Sequence, residues 1–137
     1  MFKKTTISVA LTALMASTAI AGGHCAADKT LTEGKLTVAT GNPAYFPWVI
    51  DDAPESGQGF EAAVVYAVAK EMGFSNSDVV WVRSSFDEAI QPGAKDFDFN
   101  IQQYSITEER SKVVDFSSTY YKSNQSIVSF KGSKIDG

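Results

Sequence analysis

The chain has 137 residues, 44% of them hydrophobic, and a formal net charge of -4. That is enough apolar material for one small α/β domain with a core, and no internal repeat or low-complexity tract points to a second. The acidic balance, with no basic patch interleaved with aromatics, argues against nucleic acid as a partner.

Residues 1–21 read as a secretory signal peptide. Lys3 and Lys4 form the positive start, an apolar stretch runs from Ile7 to Ile20, and Ala19-Ile20-Ala21 is a small-x-small cleavage site. The stretch is short, rich in Ala, Ser and Thr, and followed by Gly22-Gly23, unlike a spanning helix with a charged stop. Cleavage leaves no membrane span and, since the signal carries two lysines and no acid, a net charge of -6. Cys25 is the only cysteine, so no internal disulfide can form. It lies near the new N-terminus, but His24 before it is not small, which favours a free thiol over a lipid anchor. His24 and Cys25 are two potential ligands on a tail, too few for a metal site; neither a metal nor a cofactor is expected.

Residues 22–34 form a polar, loose lead-in. Leu36-Thr37-Val38-Ala39 is a strand candidate that runs into the turn signal Thr40-Gly41-Asn42-Pro43. Tyr45-Phe46-Pro47-Trp48 sets three aromatics around a proline. A polar loop from Asp51 to Gly59 follows. Phe60 to Met72 is the clearest helix: Phe60, Ala63, Val64, Ala67, Val68 and Met72 fall on one face and are assigned to the core, with Gly73 as the stop. Val79-Val80-Trp81-Val82 is an unbroken apolar run, suited to a strand covered on both faces. Ser85-Phe86-Asp87-Glu88 is a capping box opening a short helix that Pro92-Gly93 closes. Phe97 to Gln102 alternates apolar and polar residues as a strand does. Ser105 and Glu108 form another capping box, for a short helix over 108–114 carrying Arg110. Asp115 to Tyr121 is an extended link, and Gln125 to Phe130 a last strand.

Strand and helix thus alternate with short connections, the mark of a mostly parallel sheet flanked by helices. Ligands of such sheets sit at the carboxyl ends of the strands. Three loops share that rim: Asn42 to Trp48, Ser84 to Phe86, and Gln103 to Arg110. Arg110 and the amides of a helix start suit a carboxylate. The Ser105 hydroxyl and a strand-end carbonyl near Gln103 suit an ammonium. Tyr45, Trp48 and Phe86 offer apolar walls and cation-attracting faces. Each residue has a plainer role open to it: Arg110 in a surface ion pair with Glu108, Glu109 or Asp115, Ser105 as a cap, the aromatics as packing, Asn42 as a turn residue. Their convergence points to a pocket for a small amino acid. Enzyme chemistry has less support, since no Ser-His-acid or Cys-His set and no phosphate-loop motif is present. Glu61, Asp87, Glu88 and Asp98 read as solvated faces or caps.

From about Lys35 onward the chain resembles the family 3 extracellular solute-binding proteins. The resemblance rests on Ala44-Tyr45-Phe46-Pro47-Trp48, Gly59-Phe60-Glu61, Phe97-Asp98, Ser105-Ile106-Thr107-x-x-Arg110, and Asp115-Phe116-Ser117 with Tyr120. It implies a lobe of the type II periplasmic-binding-protein fold, with residues 35–123 as the first lobe and 124–137 as a hinge strand and the truncated start of a second lobe, otherwise absent. It implies a periplasmic protein that delivers a polar L-amino acid to the membrane permease of an ABC importer. In that family the arginine matching Arg110 salt-bridges the ligand carboxylate. The serine matching Ser105 binds the ammonium, Gln103 contributes its carbonyl, and aromatics matching Tyr45 and Phe86 stack on the ligand side chain. Asn42 stands where relatives that bind basic amino acids often have aspartate, and Gln102 and Gln103 stand where small residues are common. The alternatives on the same scaffold are a periplasmic dehydratase of cyclic acids, with Glu61 as its nearest acid-base group, and a sensor domain.

Overall fold

The computed structural model describes residue 26 and residues 29–134. The signal-like segment, His24, Cys25 and residues 135–137 lie outside the described residues. A three-stranded, wholly parallel sheet forms in the order β2-β1-β3. β1 (Leu36–Thr40) is the centre and all five of its residues are buried. Its β-branched Thr37, Val38 and Thr40 favour the extended backbone. β2 (Val79–Arg83) pairs with it from Leu36↔Val79 to Thr40↔Arg83. β2 is therefore an edge strand, with Val80 40% exposed, and not the doubly covered one its unbroken apolar run implied. The short, mixed sequence of β1 concealed the central position. β3 (Phe99–Asn100) pairs Val38↔Phe99 and Ala39↔Asn100. Asp98 N–H to the Thr37 carbonyl and Ile101 N–H to the Ala39 carbonyl lengthen that ladder, which still stops short of the span expected from Phe97 to Gln102.

α1 (Phe60–Glu71) packs over one sheet face, where Leu36, Val38, Val65, Ala69, Phe74 and Ile101 form the core. Its buried face differs from the expected one. Glu61, Ala62, Val65 and Ala69 turn inward, while Phe60, Ala63, Ala67 and Val68 are exposed. The helix is apolar nearly all round, so periodicity alone offers two stripes. The anchored helix start decides between them: Phe60 N–H donates to the Pro47 carbonyl (3.1 Å) and Glu61 N–H to that of Trp48 (3.0 Å).

α2 (Phe86–Ile90) opens with the expected capping box. Glu88 N–H donates to Ser85 Oγ, and the Glu88 carboxylate accepts from Ser85 N–H at 3.0 Å. The Ser85 hydroxyl and amide hold the Glu88 carboxyl below its usual range. Asp98 is not a solvated residue. Its carboxylate accepts from the amides of Leu31 and Thr37, each at 2.7 Å, and so ties the lead-in to β1.

Beyond β3 three expectations change. No helix covers 108–114; a single 3-10 turn spans Arg110–Lys112. The Ser105 capping box does not form, because the turn begins later: Arg110 N–H donates to Thr107 Oγ1 and Ser111 N–H to the Thr107 carbonyl. Gln125 to Phe130 is not a strand. No described segment pairs with it, and a strand exists only by pairing; Val128 is 94% exposed. Among the described residues no helix is long and apolar enough to cross a membrane.

Candidate functional site

The carboxyl ends of the three parallel strands enclose a cleft of about 380 Å³. Thr40 ends β1, Ser85 and Phe86 follow β2, and Gln102 and Gln103 follow β3; Gly41, Asn42, Pro43, Ala44 and Tyr45 complete the lining. That volume falls within the range of small-molecule sites, about 300–1,000 Å³. A more open, mainly apolar depression lies at the end of α1, lined by Ala67, Val68, Lys70, Glu71 and Met72, all from one helix.

The Asn42 to Ala44 turn is held by a network that sequence reading did not find. Arg83, the last residue of β2, donates to the Gly41 carbonyl (2.8 Å) and pairs with Asp52 (2.6 Å). Asp52 also accepts from the Ala44 N–H at 2.8 Å. The Ala44 amide and the Arg83 guanidinium hold the Asp52 carboxyl below its usual range. The Gln102 side chain, nearly buried, donates to the Ser84 carbonyl at 3.2 Å and joins the second loop to the third.

Arg110 is half-buried at the rim. Its guanidinium lies 5.1 Å from the Phe86 ring centroid and 5.8 Å from that of Tyr104. The two rings pack 4.2 Å apart, and Tyr104 OH donates to the Phe86 carbonyl at 2.7 Å. Burial pushes the Tyr104 hydroxyl up to about 12, so it stays a donor at neutral pH. Only two arginines occur in the chain. Arg83 is neutralised by Asp52; Arg110 has no carboxylate within 4.0 Å among the described residues. The expected surface pairing with Glu108, Glu109 or Asp115 is therefore not made. One Arg110 nitrogen donates to the Ser105 carbonyl at 3.0 Å. A guanidinium carries five N–H donors, so most stay available to an anion.

Of the seven residues singled out by sequence, Asn42, Tyr45, Phe86 and Gln103 line the cleft, and Arg110 stands over Phe86. Ser105 is exposed and outside the lining, and it touches the site through its carbonyl on Arg110. Trp48 is also outside. Its ring packs against Tyr121 (4.9 Å) and Phe60 (5.9 Å) at the start of α1. Since no helix starts at Ser105, the amides expected to share the carboxylate with Arg110 are not gathered there. Tyr104 was overlooked; its signal was an aromatic immediately before the Ser-Ile-Thr motif. Glu61 is neither solvated nor free to act as an acid-base group. It is fully buried, and its carboxylate accepts from Gln103 N–H (2.9 Å), Gln103 Nε2 and Tyr120 OH.

The described residues contain no group of three His, Cys, Asp or Glu side chains placed to hold a metal ion. A family model described as "Bacterial extracellular solute-binding proteins, family 3" matches residues 36–135. An arginine-binding periplasmic protein of Mannheimia haemolytica is 32% identical over 90 residues, covering 65% of this chain and 37% of its own. A lysine/arginine/ornithine-binding periplasmic protein of Escherichia coli (strain K12) is 29% identical over 128 residues, covering 93% of this chain and 46% of its own. The chain thus spans less than half the length of these curated relatives. No solved structure gave a significant match.

Proposed function

The chain belongs to the bacterial extracellular solute-binding proteins, family 3, and from that premise we propose that it binds a polar L-amino acid in the periplasm for delivery to an ABC import permease. Arg110 captures the α-carboxylate. The Gln103 carbonyl and the polar lining take the ammonium, and Tyr45 and Phe86 flank the side chain. Ser105 contributes through Arg110, whose guanidinium its carbonyl braces. Trp48 packs on Phe60 and Tyr121 at the start of α1, outside the cleft lining. Closing a facing lobe over the cleft would present the loaded form to the permease.

One observation carries this reading: an arginine without a carboxylate partner among the described residues, stacked on an aromatic ring of the cleft formed where three parallel strands end. A half-buried guanidinium with free N–H donors beside a small polar cleft is matched by a carboxylate. Binding is favoured over catalysis because the nearest buried acid, Glu61, is fully occupied by donors from the protein.

The relatives' names make arginine, lysine and ornithine the first ligands to test. The lining itself carries no carboxylate, so glutamine, serine and asparagine belong in the same panel. Calorimetry with this panel is expected to detect binding, and Arg110→Ala to weaken it by about 100-fold or more, the cost of removing one partner of a charged pair. Unchanged affinity in Arg110→Ala would refute carboxylate capture.

A further inference from the structure

We propose that Glu61 is the positioning residue of the cleft floor: it grips Gln103 at two points, ties it to Tyr120, and thereby sets the cleft's affinity for its ligand. The functional half of this inference rests on the amino-acid-binding reading above; the grip itself does not.

Gln103 has φ of +53°, a left-handed conformation in a residue with a side chain. Such a conformation costs about 1 kcal/mol or more and persists where surroundings enforce it. Glu61 is the enforcing group. One carboxylate takes the backbone N–H of Gln103 and its side-chain amide together. The residue it fixes lines the cleft directly.

The carboxylate also joins two parts of the chain. Tyr120, in the segment after the 3-10 turn, donates its hydroxyl to the oxygen that accepts the Gln103 N–H. Burial and this bond to Glu61 push the Tyr120 hydroxyl above its ordinary range, so it remains a donor. Phe60 and Tyr120 stack at 6.2 Å beside the contact. Glu61 has no cation within 4.0 Å among the described residues. Burying a carboxylate without a countercharge is costly, and an apolar side chain would fill the place at no such cost. Its three donors and the first-turn position in α1 are what offset that cost. Packing alone does not call for a carboxylate here; orientation of Gln103 does.

The test uses the whole chain and two readouts. Glu61→Gln keeps the shape but leaves one acceptor oxygen for three donors. Amide hydrogen exchange at Gln103 is expected to accelerate at least about 10-fold, while Ile101, bonded within the sheet, is unaffected. Amino-acid affinity is expected to fall about 10-fold. In a Gln103→Gly background, where glycine adopts the left-handed conformation unaided, Glu61→Gln is expected to cost no further affinity. Unchanged Gln103 exchange, or an equal affinity loss in both backgrounds, would overturn the proposal. If the unsubstituted chain binds no amino acid, the functional reading fails, and Gln103 exchange still decides the grip. If Glu61→Gln does not fold, Glu61→Asp, which shortens the reach, is expected to free the Gln103 amide, and unchanged exchange there would overturn the proposal equally.

Discussion

Arg110 shows why residue identity alone is ambiguous. Its neighbours Glu108 and Glu109 make a surface ion pair the simpler expectation, and Glu108 does form one, with Lys112 at 3.3 Å. Arg110 instead lies over Phe86, a residue 24 positions earlier that only the fold brings near. A sequence carries that proximity only through strand order, which is why the cleft loops were legible and Tyr104 was not. Glu61 was misread for a similar reason. Its partners Gln103 and Tyr120 are 42 and 59 residues away. Gly59 is a residue whose role is fixed by space. Its φ is +105°, and a Cβ there would lie 2.4 Å from the Trp48 carbonyl oxygen. Gly59→Ala is expected to destabilise the chain by about 1–3 kcal/mol or more, since both strain and backbone collision act. Chemical denaturation measures this, and an unchanged midpoint would contradict it.

At the scale of elements, the order of strands and helices from β1 to β3 follows from alternation and turn chemistry, and the Ser85 capping box marks the start of α2 to the residue. Burial was harder to read. β1 looked unremarkable beside the apolar run of β2, yet β1 is central, because position in the sheet comes from connection order and not from hydrophobicity. In α1 the apolar residues encircle the helix, so the inward stripe was settled by the carbonyls of Pro47 and Trp48. The starts of β1 and β2 are adjacent in register and are joined by Lys35 and Asp78 at 2.8 Å. Lys35 and then Ser75 hold the Asp78 carboxyl down at about 2. An unfolded aspartate titrates near about 3.9. Because the folded value is lowered, the pair's stabilisation is present above about pH 4 and is lost as pH falls toward about 2. Thermal midpoints of the unsubstituted chain and Asp78→Asn are therefore expected to differ at neutral pH and to converge as pH falls below about 2. A difference that persists there would assign the effect to something other than charge.

For the whole molecule, the α/β class, the parallel sheet and the location of the cleft were all readable, since parallel strands with short connections place their carboxyl ends together. The tail from Asp115 onward was least readable. The β-branched and aromatic residues Ile127, Val128 and Phe130 favour a strand, but all three are exposed, and strand formation depends on a partner that local sequence does not specify. The sequence carries a formal net charge of -4. Against that balance Arg110, which has no carboxylate partner among the described residues, stands at the cleft where an anionic group would dock. The most direct test of that claim is a backbone amide NMR titration of the chain with an amino acid and, in parallel, with the same amino acid bearing a carboxamide in place of its α-carboxylate. Carboxylate capture at Arg110 predicts that the free acid perturbs resonances of residues 42–45, 85–86 and 103–110 and that the carboxamide leaves them in place. Equal perturbation by both compounds, or shifts confined to residues elsewhere, would contradict it.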